Sequence, residues 1–193
     1  MSPKKGEVVE QVSGGPRARY REQVRSEVQA HAWDQIAEAG AAGLSLKAIA
    51  KQMGMTAPAL YRYFAGRDEL LTGMILSAYE ELAEIVEGAA DEGPLGMATA
   101  LRRWALANPQ RYLLLYGTPV PGYTAPPEAT ALATRIFAPV LASFPADTAF
   151  ERSLAFWTRL HGVLSLELAG HFTGMGFDTE AHYDREVRTI TGG

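Results

Sequence analysis

The stretch SLKAIAKQMGMTAPALYRYFAG, residues 45–66, contains two short apolar-periodic segments separated by Gly-Met-Thr. The hydroxyl of Ser45 can cap the backbone N–H groups of a first short helix, which turns its apolar residues inward. These inward residues are Leu46, Ile49, Ala50 and Met53. Gly54 ends this helix, because glycine enters the left-handed backbone region at little cost. The pattern predicts a helix, a tight turn and a second helix.

The second predicted helix runs from about Ala57 to Ala65 and turns Leu60 and Phe64 toward the core. Thr56 is expected to cap this helix, and Pro58 falls in its first turn, where a missing N–H costs no intrahelical bond. A small contact residue, a turn glycine and an apolar anchor recur at the spacing typical of a helix-turn-helix. These three residues are Ala50, Gly54 and Leu60.

The start of the second helix carries small residues that permit close approach to a base edge, while hydroxyl and basic side chains nearby can hold phosphates. Double-stranded DNA is therefore the expected partner. The candidate contacts are Arg17, Arg19, Ser45, Lys47, Thr56, Ala57, Pro58, Ala59, Tyr61, Arg62, Tyr63 and Arg67. Two alternatives stay open at this point. Either tyrosine can pack beneath the first helix, with one of them expected to be partly buried, and short helical hairpins also occur in proteins that never meet DNA.

The charge distribution favours the DNA interpretation. The 193-residue chain has a formal net charge of −4, but residues 1–67 hold 10 Lys/Arg against 6 Asp/Glu, a net of +4. Residues 68–193 hold 8 against 16, a net of −8. Phosphate neutralisation needs local rather than total positive charge, so a basic end joined to an acidic half fits a nucleic-acid-binding protein. Chance clustering is the alternative.

Composition excludes several other classes. There is no cysteine, and the four histidines include no pair at the i, i+4 spacing of metal ligands, so neither a metal site nor a cofactor is expected. No apolar run approaches the roughly 20 residues of a membrane span, and the N-terminus lacks a signal-peptide core. We expect a cytoplasmic protein without membrane contact.

The rest of the chain is expected to be helical throughout, which makes the fold all-α. Residues 1–16 hold Gly, Pro and Ser without sustained periodicity, so we expect a disordered tail. Residues 19–39 form a first amphipathic helix, and residues 68–87 form a fourth helix with a glutamate-rich, solvated outer face. We therefore expect a helix-turn-helix domain over residues 17–67 and a helical domain for ligand binding and dimerisation over residues 68–193.

The segment AEAGAAGLSLKAIAKQMGMTAPALYRYFAGRDELL resembles the N-terminal domain of the tetracycline-repressor (TetR) family over about residues 20–80. In that family these helices bind palindromic operators as a homodimer, and the remaining helices bind a small ligand and the second subunit. Arg67 stands where the family usually carries a lysine that faces phosphate, so the charge is kept. The resemblance implies a ligand-responsive transcriptional regulator, usually a repressor.

A second resemblance lies in the C-terminal half. The segments NPQRYLLLYGTPVPGYTAPPE and AFWTRLHGVLSLELAGHF are similar to a C-terminal domain shared by some TetR-type regulators and nicknamed for its Trp and His-Gly, here Trp157, His161 and Gly162. Apolar residues from Phe150 to Phe172 recur every three to four positions, which predicts one long helix over about residues 147–173. This stripe, with small residues beside it, suggests a dimer face, a pocket wall or both.

The candidate residues follow from this helix and its neighbours. A small, apolar ligand would find polar and aromatic groups on Trp104, Tyr112, Tyr116, Trp157, His161 and Glu167. The second subunit would meet Leu164, Leu168, Ala169 and Phe172. The alternative for His161 and His171 is that each forms only local hydrogen bonds.

Catalysis is not indicated by any motif. The chain has no glycine-rich phosphate loop, no nucleophile elbow and no acid/base pair at a recognisable spacing, so we expect no enzyme. The competing function is a helix-turn-helix regulator that needs no small-molecule effector and is controlled by a partner protein.

Overall fold

The computed structural model describes residues 15–192, and this part of the chain is all-α, as predicted. The helices of this part are α1 (Pro16–Ala39), α2 (Leu46–Gln52), α3 (Ala57–Leu60), α4 (Arg67–Gly88), α5 (Gly93–Ala107), α6 (Pro109–Tyr116), α7 (Pro127–Ala142), α8 (Ala149–Leu168) and α9 (Thr179–Thr191). Two short 3₁₀ turns, Ala41–Gly43 and Ala90–Glu92, follow α1 and α4. No strand occurs between residues 15 and 192.

The first core joins α1, α2, α3 and the first half of α4. Helix α1 contributes Val24, Val28, Ala32 and Ile36 at the three- to four-residue spacing expected of an amphipathic helix. Leu60 and Phe64 are fully buried in this core, which confirms their predicted orientation. Gly40 has φ 69° and ends α1.

Helix α4 is shared between the two cores. Its first half buries Leu71 and Met74 among the N-terminal helices, and its second half buries Leu82 and Val86 among α5, α7, α8 and α9. Tyr79, midway along α4, packs against both cores. The cores therefore meet along α4, and the division of the chain after Arg67 stays a prediction.

The second core is built by α5, α6, α7, α8 and α9 with the second half of α4. Its polar groups are tied across helices: the Tyr183 hydroxyl of α9 donates to the Ala98 carbonyl of α5 at 2.9 Å. The Arg102 guanidinium of α5 donates to the Glu167 carboxylate of α8 at 2.7 and 3.3 Å. These contacts hold the ends of the C-terminal helices in register.

Three predicted boundaries are wrong. Helix α1 begins at Pro16 rather than at residue 19. The predicted disordered tail falls on residues 1–14, apart from its last two positions, and these residues lie outside the described part of the chain. Helix α3 stops at Leu60 rather than at Ala65, and residues 61–63 form turns. Helix α8 ends at Leu168 rather than near residue 173, because Gly170 takes φ 76° and reverses the chain. Helix α4 agrees with its predicted bounds to within one residue at each end.

The predicted apolar stripe of α8 is not the face that the core buries. Phe150 and Leu154 are exposed at 66% and 47%, whereas the buried face consists of Ser153, Phe156, Leu160, Val163 and Leu164. Leu164 has no exposed surface, so the prediction that it meets a second subunit is wrong. Spacing of three to four residues predicted a helix here, but it did not identify the face that the core covers.

Within residues 15–192, no helix combines the length and the apolar character that crossing a bilayer demands.

Candidate functional site

The turn between α2 and α3 is closed by backbone hydrogen bonds. The N–H of Met55 donates to the Ala50 carbonyl at 2.8 Å, and the N–H of Gly54 donates to the Lys51 carbonyl at 3.2 Å. These two bonds form a Schellman motif, which needs the left-handed conformation that Gly54 adopts at φ 65°. The turn is therefore fixed by local interactions before any partner binds.

The two caps of this unit differ. The Ser45 hydroxyl accepts a hydrogen bond from the Ala48 N–H at 3.4 Å, as predicted, and the Ser45 N–H donates to the Gln35 side chain at 2.9 Å. The Thr56 side chain makes no capping hydrogen bond, so its predicted capping role is wrong. Thr56 is exposed, and its hydroxyl is available to an external partner.

The structure places the predicted DNA contacts on one unit but at different depths. The exposed members of the set are Arg17, Arg19, Lys47, Thr56, Pro58, Tyr61 and Arg62. The partly buried members are Ser45, Ala57, Ala59, Tyr63 and Arg67. Tyr61 is 50% exposed while Tyr63 packs against the first core, which confirms that one of the two tyrosines is partly buried.

Arg67 forms an internal contact that its sequence position did not reveal. Its guanidinium donates to the Ala41 carbonyl at 3.0 Å and lies 3.5 Å from the Asp68 carboxylate. The side chain thus joins the start of α4 to the 3₁₀ turn after α1.

Sequence reasoning missed Arg21 and Arg25 of α1. Arg21 donates to the Arg62 carbonyl at 3.3 Å, and Arg25 donates to the Tyr63 carbonyl with its guanidinium 4.1 Å from the centre of the Phe64 ring. Together they fasten the segment after α3 to the first helix. The four-residue spacing of Arg17, Arg21 and Arg25 places all three on one face of α1, which was the available signal.

An open groove of about 400 Å³ lies at this junction. Its walls are Arg17, Ala18, Tyr20, Arg21, Arg62 and Tyr63. Basic side chains and an exposed tyrosine therefore extend the surface of the helix-turn-helix unit along the first turns of α1.

A second site of interest is an aromatic cluster where α6 meets α8. The Tyr112 hydroxyl lies 2.8 Å from His161 Nδ1. The His161 ring lies 4.2 Å from the Tyr116 ring and 4.4 Å from the Trp157 ring, measured between centroids. The structure therefore brings together four of the six residues predicted to meet a ligand.

Burial sets the protonation of this cluster. Desolvation lowers the pKa of His161 to about 4, so its imidazole is neutral at pH 7. Burial also raises the pKa values of Tyr112 and Tyr116 above their ordinary range, because the phenolate would lose its hydration. The cluster is uncharged at neutral pH.

Trp104 and Glu167 are placed differently from these four residues. Trp104 is buried in the second core, which also contains Tyr112, and Glu167 is occupied by its ion pair with Arg102. Their predicted contact with a ligand stays a prediction.

A groove of about 330 Å³ opens beside the cluster between α6, α7 and α8. It is lined by Tyr116, Thr130, Ala133, Thr134, Phe137 and Trp157. Its walls are mainly apolar, with two threonines, which is the composition that small-molecule sites usually have.

Helix α6 also touches the N-terminal helices. Arg111 pairs with Glu81 of α4 and lies 5.4 Å from the Trp33 ring of α1. Just after α6, the Tyr123 hydroxyl lies 3.0 Å from the Thr72 hydroxyl of α4. One eight-residue helix thus carries both the tyrosines of the cluster and a contact to the first core.

The remaining residues predicted for a dimer face are more accessible than Leu164. Leu168 and Phe172 are partly buried, and Ala169 is exposed. Phe172 packs against Phe177 at 5.2 Å between ring centres.

Among the described residues, no group of three or more His, Asp or Glu side chains could hold a metal ion.

Two family models match the chain. One, described as bacterial regulatory proteins of the tetR family, matches residues 30–74, and the other, described as a tetracyclin repressor-like C-terminal domain, matches residues 95–190. The first match covers α2, the turn and α3, and the second covers the aromatic cluster. Both resemblances seen in the sequence are confirmed.

Relatives agree with these matches. The HTH-type transcriptional regulator Rv1816 of Mycobacterium tuberculosis is 46% identical over 131 residues, which cover 63% of this chain and 56% of the relative. The chain thus spans little more than half the length of that relative. A crystal structure of the putative regulatory protein SCO4313 has 49% identity and a TM-score of 0.87, covering 93% of this chain and all of that one. A TetR variant from Acinetobacter baumannii in complex with minocycline shares the fold at 17% identity and a TM-score of 0.56, covering 86% and 93% of the two chains.

Proposed function

The chain belongs to the tetR family of bacterial regulatory proteins, and from this premise we propose that it is a repressor which a small molecule releases from DNA. In this proposal a homodimer binds a near-palindromic operator through two helix-turn-helix units. Ligand binding in the C-terminal domain then changes the separation of these units.

The observation that carries the proposal is the position of α6. This helix presents Tyr112 and Tyr116 to the His161 cluster and Arg111 to α1 and α4. A displacement of α6 by a ligand would therefore act directly on the helices that hold α2 and α3. Helix α4 is shared by the two cores, and α6 contacts it through Arg111 and Glu81.

Side chains of the reading unit divide into two roles. Lys47, Tyr61 and Arg62 are exposed around α2 and α3 and are proposed to hold phosphates, with Arg17 and Arg19 extending this contact along α1. The exposed Thr56, with the small residues Ala57 and Ala59, is proposed to meet base edges in the major groove. Arg67 is proposed to support the phosphate contact while it stays bonded to Ala41.

The outer face of α8 is the proposed site of dimerisation. On the helix surface it combines small and apolar residues: Leu154, Ala155, Thr158, Gly162, Leu166 and Ala169. A Cβ at Gly162 would meet no heavy atom within 4 Å, so the helix of another subunit has room to approach. A two-fold axis along this face would place like residues opposite each other, with Leu168 and Phe172 at its end.

The dimer is tested by a matched pair of substitutions. Leu154→Arg on α8 should give a monomer by light scattering at micromolar concentration, because it places a charge in the proposed face. Leu106→Arg on α5, where the leucine is similarly exposed, should leave the dimer intact. Monomeric wild-type protein, both free and on DNA, would refute the proposal.

The operator is found by selecting fragments of the source genome that the protein retains. Two reading helices must lie about 34–36 Å apart to enter successive major grooves, so the selected half-sites should be separated by about one helical turn. A small rotation of each subunit is enough to disturb that spacing.

Ligand response is tested by reciprocity. A coupling free energy of about 1–3 kcal/mol would weaken operator binding about 5- to 150-fold, and the operator must weaken ligand binding by the same factor. Ligand titrations followed by Trp157 fluorescence, with and without operator, measure the factor by which the operator weakens ligand binding. Identical curves would favour the alternative function, a regulator controlled by a partner protein.

A further inference from the structure

His161 has a hydrogen-bonding atom with no partner. Between residues 15 and 192, three buried side-chain polar atoms lack a hydrogen-bond partner: Trp104 Nε1, Ser153 Oγ and His161 Nε2. A buried polar atom left unpaired costs about 1–3 kcal/mol, so each needs a reason. His161 differs from the other two because its ring contacts Tyr116 and Trp157, both of which line the groove between α6, α7 and α8.

The tautomer of His161 follows from its other nitrogen. The Tyr112 hydroxyl lies 2.8 Å from Nδ1, and the weakly acidic phenol is the natural donor toward a basic imidazole nitrogen. The neutral imidazole then carries its proton on Nε2. The unpaired atom is therefore a hydrogen-bond donor, and its missing partner is an acceptor.

The walls of the groove indicate the shape of a ligand that could supply this acceptor. Tyr116, Phe137 and Trp157 form aromatic walls, and Phe137 meets Trp157 edge to face at 6.2 Å. Flat ring systems pack well against such walls. His161 Nε2 is buried, and the Tyr116 and Trp157 rings that contact His161 also meet each other edge to face at 6.0 Å between centroids. A ligand in the groove therefore reaches this nitrogen only when the two rings move apart.

Charge around the cluster excludes an anionic partner. The nearby guanidinium groups are already paired, Arg102 with Glu167 and Arg111 with Glu81. A carboxylate at His161 would be buried without a counter-ion, which is far less favourable than burying a neutral carbonyl.

We propose that this groove binds a neutral aromatic molecule whose carbonyl oxygen accepts a hydrogen bond from His161 Nε2. The inference rests on the proposed ligand response and names the chemical class of the ligand. Tyr112 is a positioning residue in this scheme, because its hydroxyl selects the tautomer that donates.

Three matched probes test the proposal by isothermal titration of the full chain at pH 7.5. They are 2-acetylnaphthalene, 2-ethylnaphthalene, which lacks the acceptor, and 2-naphthoate, which adds a charge. We expect the ketone to bind about 3- to 10-fold more tightly than the hydrocarbon, the range that one hydrogen bond supplies. The carboxylate should bind more weakly than either neutral probe.

Variants assign the effect to His161. His161→Phe should reduce the preference for the ketone to about 1-fold, while His171→Phe, at an exposed histidine beyond α8, should leave it unchanged. In the wild-type protein, the ¹⁵N resonance of His161 Nε2 should shift with the ketone and not with the hydrocarbon. This measurement does not depend on how the variants fold.

Three results would overturn the inference: no binding of either neutral probe, equal binding of ketone and hydrocarbon by the wild-type protein, or an unchanged preference in folded His161→Phe. Operator binding and dimerisation are measured separately. Failure of the probes with intact operator binding would reject this ligand class and leave the proposed regulator standing.

Discussion

The helix-turn-helix unit and the aromatic cluster differ in how completely their buried polar atoms are satisfied. In the reading unit the turn is closed by the Gly54 and Met55 N–H groups, and Arg21 and Arg25 bond the carbonyls that follow α3. The three unpaired buried side-chain atoms of the described residues all lie on α5 and α8. In the free chain, the helix-turn-helix unit is therefore closed by hydrogen bonds, whereas the C-terminal interior keeps buried polar atoms without a partner.

This difference indicates where a partner can change the protein. A unit whose buried groups are all bonded gains little from rearrangement, so DNA meets it as a preformed surface. An interior with an unpaired donor gains from a ligand that satisfies it. The regulatory signal should therefore start in the C-terminal region and reach the reading unit by displacement of whole helices.

The largest expected effect comes from a substitution that disrupts packing in the helix-turn-helix unit. Phe64→Ala removes a fully buried ring that also stacks on Arg25, and should cost about 3–5 kcal/mol of unfolding free energy. Urea denaturation measures this cost. Tyr20→Ala, which trims a ring that is 62% exposed on α1, should change the unfolding free energy by less than about 0.5 kcal/mol. Equal effects would show that the unit is not held by this packing.

The next effect is the pH dependence of the unfolding free energy that His161 causes in the C-terminal interior. His161 has a pKa of about 4 when folded and about 6.5 when unfolded, so only the unfolded chain takes up its proton between these values. Stability from the neutral ring is present above pH 6.5 and is lost as the pH falls toward 4, by at most about 3 kcal/mol. In His161→Gln this part of the pH dependence should vanish, and in His171→Gln it should persist. An unchanged slope in His161→Gln would contradict the assignment.

A third prediction tests the connection between the two regions. Arg111→Ala removes the contacts of α6 with Glu81 and Trp33 and should lower the coupling between ligand and operator by about 0.5–2 kcal/mol. Binding of each partner alone should change less. Arg135→Ala, which breaks the exposed ion pair with Glu87, serves as the control. If Arg111→Ala and Arg135→Ala had the same coupling free energy between ligand and operator, α6 would not be the connection between the two regions.

A smaller effect distinguishes phosphate contact from base contact. Lys47→Ala should weaken binding to all DNA sequences about equally and reduce the salt slope by about one, because one phosphate contact is lost. Titrations of operator and unrelated DNA at several salt concentrations measure both quantities. Arg103→Ala, an exposed cation on α5, should leave the slope unchanged. Loss confined to one base pair would contradict the role of Lys47.

The smallest effect separates the two caps of the reading unit. Ser45→Ala removes the bond to the Ala48 N–H and should cost about 1 kcal/mol of unfolding free energy. Thr56→Ala breaks no capping bond, so it should cost less stability while weakening operator binding. The reverse order in thermal denaturation would mean that Thr56 is the more important cap.

Short-range features of the reading unit were predictable from the sequence. The Ser45 cap, the Gly54 turn and the burial of Leu60 and Phe64 depend on residues within a few positions of one another, and the structure confirms each of them. The end of α3 was not predictable, because no glycine or proline marks Leu60 as its last residue. Carbonyls beyond it are bonded by Arg21 and Arg25, which are about 40 positions away.

The candidate ligand cluster was predictable only in part. Aromatic and histidine side chains at helical spacing drew attention to Tyr112, Tyr116, Trp157 and His161, and the structure brings these together. The same reasoning added Trp104, which is buried in the second core, and Glu167, which pairs with Arg102. Spacing along one helix cannot tell which neighbouring helix each side chain meets.

The amino-acid sequence by itself determined the all-α class and the helix-turn-helix, because local capping, glycine chemistry and periodicity act over a few residues. The family followed from the resemblance of its motifs to those of known regulators. Tertiary structure alone decided which face of α8 is buried, which leaves Leu164 in the core and Leu154 exposed. It also decided that α6 joins the two regions and that His161 Nε2 has no partner. These outcomes depend on how distant helices pack against one another, and a periodic pattern carries no information about the rotation of one helix against the next.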